Sequence, residues 1–235
     1  MDIEQLNDRY SYQSEWTRPF REFLYNKLSQ KSALTILEVG CGTGAVIQKV
    51  RKEYKGSVHL IVGIDIDPLS IHFAKNKLNE QFILGNGEFL PFKNNCFDFV
   101  FCHYLLLWVQ NPAYVLTEFR RVTRPSGICA AMAEPCYEET RAEPSELKTL
   151  SELQQDRLAL SGAEINIGNK LGIIFKKAGF SGIKFGKYDA MESDPLFIKN
   201  EIRQLQLDTG TNNFDYDAKA KYSYNVPTYF AYAEK

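Results

Sequence analysis

The 235-residue sequence predicts an α/β fold built on a doubly wound, mostly parallel β-sheet. Short apolar runs alternate with amphipathic segments over the first 134 residues, as in a chain of β-strands joined by helical crossovers. The run at residues 58–64 is almost continuously apolar, which is typical of a strand buried on both faces. Glycine-rich and polar motifs directly follow the predicted strands, at the sheet edge where such folds bind ligands.

The strand and helix pattern predicts seven strands. Five of them lie at residues 34–39, 58–64, 81–84, 96–102 and 128–133, and helices begin near Thr43, Pro68 and Asn111. Asn111 followed by Pro112 is a typical helix start. Later helices are predicted at residues 146–160, 167–178 and 195–207, and strands at 180–188 and 222–233. Because no long crossover follows the last strand, we expect an antiparallel C-terminal strand at one sheet edge.

Two segments outside this alternating pattern are predicted to cover the sheet edge, within a single domain of residues 1–235. Residues 1–30 form an N-terminal helical flap in which Pro19 lies in a first helical turn. This helix either packs over the sheet edge or places Trp16 or Arg21 at a bound cofactor. Residues 134–170 are polar and mostly helical, and an excursion of this length is usually functional, so we interpret it as a helical lid.

Composition and charge exclude several classes of partner. The formal net charge is −1 and no long basic cluster is present, which argues against nucleic-acid binding. No apolar run approaches the roughly 20 residues of a membrane span, and the polar N-terminus is unlike a secretory signal. The five cysteines form no CxxC pair and the three histidines are scattered, so we expect a reduced, cytoplasmic protein without a metal site.

The segment at residues 36–44 predicts a nucleotide-type cofactor site. An apolar strand runs into Gly40, Gly42 and Gly44, and a helix follows. Glycines permit positive φ angles and close approach of a ligand, and a helix N-terminus offers free N–H groups. The spacing Gly40-x-Gly42-x-x-Ala45 also fits a dinucleotide fingerprint, so an NAD-dependent oxidoreductase is an alternative. Gly44, the acidic Glu38 within the strand, and the lack of a Tyr-x-x-x-Lys pair all disfavour that alternative.

Several further segments, in the same order and at similar spacing, extend the pattern. They are residues 62–67 (VGIDID), 85–92 (GNGEFLPF), 97–100 (FDFV) and 121–127 (RVTRPSG). Together with residues 36–44 (ILEVGCGTG) they resemble the class I S-adenosylmethionine-dependent methyltransferases of the methyltransferase-11-like type. The resemblance covers about residues 34–134. It implies a Rossmann-like fold, S-adenosylmethionine as the cofactor, and methyl transfer as the reaction.

The resemblance also implies a role for individual residues. The glycines would lie against the methionine part of the cofactor with Glu38 near its amino group, Asp65 would accept hydrogen bonds from the ribose hydroxyls, and Ile66 would pack on the adenine. Asn86 stands where the family usually has Asp and would meet the adenine amino group. The full set of predicted cofactor-binding residues is Trp16, Arg21, Glu38, Gly40, Cys41, Gly42, Gly44, Asp65, Ile66, Asn86, Gly87, Glu88 and His103.

The expected reaction is methyl transfer to an oxygen or nitrogen atom of a small molecule. His103 is the candidate catalytic base because the ordinary pKa of histidine is near neutrality. Tyr104, Glu134 and Tyr137 are expected to border the acceptor site. A non-catalytic protein of the same fold, binding only cofactor or a partner, is the second alternative. The protein is expected to be a monomer or a homodimer.

Overall fold

A computed structural model describes residues 2–29, 33–188, 194–211, 214, 216–217 and 220–235. It confirms the predicted α/β fold: a seven-stranded mixed sheet has the strand order β3-β2-β1-β4-β5-β9-β7. Its strands are β1 (Leu34–Val39), β2 (Val58–Asp65), β3 (Gln81–Leu84), β4 (Phe97–Cys102), β5 (Thr123–Pro135), β7 (Lys184–Lys187) and β9 (Thr228–Glu234). The short strands β6 (Arg141–Glu143) and β8 (Ser223–Asn225) form a separate antiparallel pair.

Helices cover both faces of the sheet and the carboxyl ends of its strands. They are α1 (Ile3–Trp16), α2 (Arg18–Leu28), α3 (Ala45–Glu53), α4 (Pro68–Lys77), α5 (Pro112–Val122), α6 (Ser145–Leu160), α7 (Leu171–Lys177) and α8 (Pro195–Thr209). The strands β1 and β4 are buried along their whole length, as expected for the centre of a doubly wound sheet. Two apolar core clusters pack on opposite faces of the sheet.

The C-terminal strand is antiparallel, as predicted, and lies one position inside the sheet edge. β9 pairs with β5 on one side and β7 on the other, so β7 is the edge strand. The predicted strand at 222–233 is divided into β8 and β9 around Pro227, which has no N–H group to continue a ladder. β7 is shorter than the predicted strand at 180–188.

The sequence interpretation missed the first helix, because residues 1–14 are polar and their periodicity is weak. Asp2 caps α1: its side-chain Oδ1 accepts a hydrogen bond from the Gln5 backbone N–H (2.8 Å), and the Asp2 backbone N–H donates one to the Gln5 side-chain Oε1 (3.1 Å). This is a capping box, in which two otherwise unpaired donors are satisfied. The N-terminal segment therefore contains two helices, α1 and α2, and α1 lies nearest the glycine turn.

A third apolar cluster joins the two late helices to the small sheet. α6 and α8 pack together through Leu147, Leu150, Ile198, Ile202 and Leu205, and Tyr224 of β8 completes the cluster. This layer lies beside the carboxyl ends of the central strands, and its polar side chains face the cavity described below.

Candidate active site

The glycine turn that follows β1 has the geometry expected from the sequence. Gly40, Gly42 and Gly44 all have positive φ angles of 72°, 49° and 80°. A Cβ atom on Gly40 would lie 2.8 Å from Leu105 Cδ1, and one on Gly42 would lie 2.8 Å from Tyr10 Cε2. Both positions therefore require glycine for space as well as conformation. Gly44 caps the N-terminus of α3 and does not line the cavity.

A cavity of about 570 Å³ opens over this turn. Its floor is formed by residues at the ends of β1, β2 and β4, and its walls by α1, α6 and α8. Of the predicted site residues, those that line it are Glu38, Gly40, Cys41, Gly42, Asp65, Ile66, His103, Tyr104 and Tyr137. The carboxyl ends of the parallel strands thus bring together residues from widely separated motifs.

A second cavity of about 370 Å³ adjoins the first. The two share Gly40, Asp65 and Ile66 in their walls. Asn86, Gly87 and Glu88 line only the second, so the loop that follows β3 closes this end of the site. Asn86 Oδ1 accepts a hydrogen bond from the Glu88 backbone N–H (2.9 Å) and retains a second lone pair. Asp65 therefore lies in the part of the wall that the two cavities share.

Asp65 is positioned by backbone groups. Its Oδ2 accepts a hydrogen bond from Gly42 N–H (2.7 Å) and its Oδ1 accepts one from Asp67 N–H (2.9 Å). A carboxylate has about four acceptor sites, so each oxygen keeps one for a ligand. Two adjacent hydroxyl groups fit such a fixed pair of acceptors.

Glu38 has one carboxylate oxygen that is buried and unused. The side chain is only 1% exposed, and its Oε2 has no hydrogen-bond partner among the described residues. Burial, followed by the charge of Asp65, raises the Glu38 pKa well above its ordinary value. A buried polar atom without a partner is costly, which indicates that a ligand group completes this site. A cationic group would offset the burial of the carboxylate most effectively.

His103 lies in the same cavity, but it is not the near-neutral base that the sequence suggested. Burial, helped by the positive charge of Arg21, lowers the pKa of His103 to about 3. The imidazole is therefore neutral at ordinary pH, and its Nε2 has no hydrogen-bond partner in the described part of the chain. A neutral imidazole with such a low pKa is a weak base and serves better as a hydrogen-bonding group.

Glu134 does not line the cavity, contrary to the prediction that it borders the acceptor site. It is fully buried and accepts hydrogen bonds from the backbone N–H groups of Leu105 (3.0 Å), Leu106 (2.9 Å) and Leu107 (3.2 Å). Burial raises the Glu134 pKa to about 8, against the opposing effect of these N–H donors. Since Leu105 forms part of both cavities, Glu134 acts on the site by holding this wall.

Trp16 and Arg21 also lie outside the two cavity walls, which corrects their predicted place at the cofactor. The Arg21 guanidinium is buried and donates to both carboxylate oxygens of Glu53 (2.8 Å each). Trp16 packs edge-on against Tyr12, with ring centroids 5.6 Å apart, and also contacts Phe197. Both residues fasten the N-terminal helices to the rest of the protein, as the alternative interpretation of this segment expected.

Sequence reasoning missed the polar wall formed by α1, α6 and α8. Its members are Arg9, Gln13, Gln154, Arg157, Ser161 and Asp208. Arg9 Nη1 donates to Asp208 Oδ1 (2.8 Å), and Gln154 Nε2 donates to Asp208 Oδ2 (2.6 Å). These residues are far apart in the sequence and resemble ordinary solvated helix faces. The capping box of α1 was the one signal that could have indicated the first of these helices.

Neither metal binding nor membrane insertion gains support from the part of the chain that the structure describes. No group of three or more His, Cys, Asp or Glu side chains there could hold a metal ion. Within the same residues, each helix is too short or too polar to cross a bilayer.

Comparison with known proteins places this geometry in context. Residues 37–131 match the methyltransferase domain family. The chain is 28% identical over 211 residues to the demethylmenaquinone methyltransferase of Lactococcus lactis, covering 80% of this chain and 81% of that protein. It is 29% identical over 119 residues to the malonyl-[acyl-carrier protein] O-methyltransferase of Erwinia pyrifoliae, covering 50% of this chain and 44% of that protein.

A solved structure supports the same fold. The chain superposes on the phosphoethanolamine N-methyltransferase 2 of Haemonchus contortus, determined with phosphomonomethylethanolamine and S-adenosylhomocysteine, with a TM-score of 0.59 and 17% identity. This similarity covers 87% of this chain and 49% of that one. The chain spans about half the length of two of its curated relatives, 50% and 44%. In its motifs, its sheet order and these similarities, the chain is similar to the class I S-adenosylmethionine-dependent methyltransferases, and the match to the family model covers residues 37–131.

Proposed function

We propose that this protein transfers a methyl group from S-adenosylmethionine to an oxygen or nitrogen atom of a small molecule. The observation that carries the proposal is the buried Oε2 of Glu38, which lies beside the glycine turn and has no hydrogen-bond partner among the described residues. The carboxylate of Asp65 lines the same cavity and keeps acceptor sites for a ligand. An ammonium group and a vicinal diol are the two ligand groups that these carboxylates fit, and S-adenosylmethionine carries both.

The residues present fit this cofactor along the length of the two cavities. Glu38 would receive the methionine ammonium group, and Gly40 and Gly42 leave room for the chain to lie against the turn. Asp65 would receive the ribose hydroxyls with its two remaining acceptor sites. The adenine would then lie in the smaller cavity, beside Ile66 and the loop containing Asn86, Gly87 and Glu88.

The chemical step asks little of the protein, because the bound cofactor supplies a methyl group that is already activated by its positive sulfur. The protein's residues must align the acceptor atom and exclude water. Tyr104 and Tyr137 line the larger cavity next to His103. Because its low pKa keeps His103 neutral, the imidazole has a nitrogen lone pair that can accept a hydrogen bond from a protonated substrate. This hydrogen bond would orient the substrate atom that receives the methyl group.

The volume of the larger cavity and the helices that form its walls favour a small acceptor. Helices from three parts of the chain form its walls, and its volume of about 570 Å³ lies within the usual range for small-molecule pockets. The named relatives act on quinone, acyl-carrier and phosphoethanolamine acceptors, so the family alone does not define the substrate. An acceptor that enters the cavity completely is the interpretation that the wall geometry supports best.

Calorimetric titration with S-adenosylhomocysteine and with NAD(H) tests the cofactor assignment. We expect S-adenosylhomocysteine to bind with micromolar affinity and NAD(H) not to bind. Methyl transfer is then measured with S-adenosylmethionine carrying a radioactive methyl group and a fractionated small-molecule extract. Binding of NAD(H) alone would overturn the cofactor assignment. Cofactor binding with label recovered only in macromolecules would overturn the small-molecule acceptor.

A further inference from the structure

We propose that the methyl acceptor is a small carboxylate that also carries an N–H or O–H donor, held at the polar wall by Arg9, Arg157 and Gln154. This inference rests on the proposed function and specifies the acceptor's chemistry. The polar wall consists of the six polar cavity-lining residues named above, which α1, α6 with its C-terminal cap, and α8 contribute. It lies on helices, whereas Glu38 and Asp65 lie on strands β1 and β2.

The geometry of Gln154 indicates that the ligand carries a hydrogen-bond donor. Its side chain is 4% exposed, and the short contact from Nε2 to Asp208 Oδ2 (2.6 Å) sets the orientation of the amide, because a carboxylate only accepts. The other amide atom is therefore the oxygen. This Oε1 is buried and has no partner among the described residues. A ligand N–H or O–H group would satisfy it.

The geometry of Arg9 indicates that the ligand also carries an anionic group. Its guanidinium carries five N–H donors, and the hydrogen bond from Nη1 to Asp208 Oδ1 (2.8 Å) uses one of them. No further hydrogen bond of Arg9 occurs among the residues that the structure describes. The Asp208 contact fixes the position of the guanidinium, while its free edge can present two parallel donors to a carboxylate.

The charge count favours a single negative charge on the ligand. The charged groups of the polar wall are Arg9, Arg157 and Asp208, so one positive charge is left over. Glu201 is also close enough to affect Arg9, but burial raises the Glu201 pKa to about 7 and thereby limits its negative charge at lower pH. Arg157 is exposed and donates to the Asp208 backbone oxygen (3.2 Å), which places it at the entrance of the cavity.

Matched pairs of ligands test this proposal on the complex with S-adenosylhomocysteine. The probes are hydroxy- and amino-carboxylates of increasing length, each compared with its neutral carboxamide by thermal shift and calorimetry at a pH below about 7. We expect at least one carboxylate to bind about tenfold or more tightly than its carboxamide, as expected for one added charge-assisted hydrogen bond. Arg9→Gln should abolish this preference, and Gln154→Leu should weaken binding of the same carboxylate.

Two further variants keep the result interpretable. Arg157→Gln removes a positive charge of the polar wall. Because the side chain is exposed and lies on α6, the change does not disturb the packing of α1. Arg18→Gln, in the exposed pair with Glu22, is the matched control and should leave binding unchanged.

Three outcomes would overturn the proposal: equal binding of the carboxamides, no binding by any carboxylate, or a loss of S-adenosylhomocysteine affinity in Arg9→Gln. The last outcome would mean that Arg9 binds the carboxylate of the cofactor. Failure of the wild-type protein to bind S-adenosylhomocysteine would instead overturn the proposed function.

Discussion

Replacing Glu38 by Gln separates the role of this residue in cofactor binding from its role in folding. Gln has nearly the same shape but cannot carry a negative charge. If Glu38 binds the methionine ammonium group, the variant loses a charge-assisted hydrogen bond worth about 1.5–3 kcal/mol. The affinity for S-adenosylhomocysteine should then fall by roughly 10- to 150-fold, measured by calorimetry.

The control for this experiment is a ligand that lacks the amino-acid part. 5′-Methylthioadenosine keeps the ribose and the adenine, so its affinity should be unchanged in Glu38→Gln. In Asp65→Ala, by contrast, both ligands should bind more weakly, because both carry the ribose hydroxyls. If Glu38→Gln weakened both ligands equally, or neither, the ammonium contact would be refuted.

Glu38→Gln should weaken cofactor binding, but it should also make the folding stability of the ligand-free protein less sensitive to rising pH. The Glu38 pKa is raised in the folded protein, so between the ordinary pKa of glutamate and this raised pKa the folded state holds more protons than the unfolded state. The stability contribution of Glu38 is therefore fully present at low pH and is lost as pH rises through the folded pKa. Gln does not titrate, so the ligand-free variant should lose less stability than the wild type when pH rises. A steeper loss in the variant would contradict this reasoning.

Three further predictions follow from the carboxylates and the histidine of the site. Asp65→Ala should weaken S-adenosylhomocysteine binding by about 2–3 kcal/mol. Its control is Asp67→Ala, which removes only the cap of α4; this variant should lose about 1 kcal/mol of folding stability and keep its affinity for S-adenosylhomocysteine. His103 should remain neutral down to about pH 4 in an NMR titration, since its pKa is lowered to about 3; a midpoint near 6.5 would refute its burial. Glu134→Gln should lower the free energy of unfolding by roughly 1–3 kcal/mol, because an amide presents a donor to three buried N–H groups. Its expected signature is a melting temperature lowered by about 2–4 °C for each kcal/mol, and an unchanged melting temperature would show that the loop after β4 is held by other contacts.

The sheet and the cavity-lining residues at the ends of its strands could be predicted from the sequence because their signals are local. Gly40 and Gly42 are required by a turn within a few residues of them, and Asp65 ends the strand that precedes it. Parallel pairing then brings these strand ends to one edge without further information. The fold, the order of motifs and the placement of Glu38, Asp65 and Asn86 in the two cavities all follow from such short-range patterns.

The polar wall could not be predicted because its signals are long-range. Arg9 and Asp208 are 199 residues apart, and Gln154 lies between them on a helix with a polar surface. On each helix alone these side chains look solvated. Only the packing of α6 on α8 through their apolar faces, and of α1 beside them, turns the three polar faces toward one cavity.

The two buried glutamates show how hydrogen bonding separates a structural acid from a binding acid. Glu38 and Glu134 are equally inaccessible, and burial raises the pKa of both. The oxygens of Glu134 accept three backbone N–H groups, so its carboxylate is already compensated by the fold and its effect reaches the cavity only through Leu105. Glu38 has an oxygen without a partner in the described residues. A cationic ligand would offset the cost of burying it, and under the proposed function Glu38 is therefore the position where cofactor binding and folding stability oppose each other.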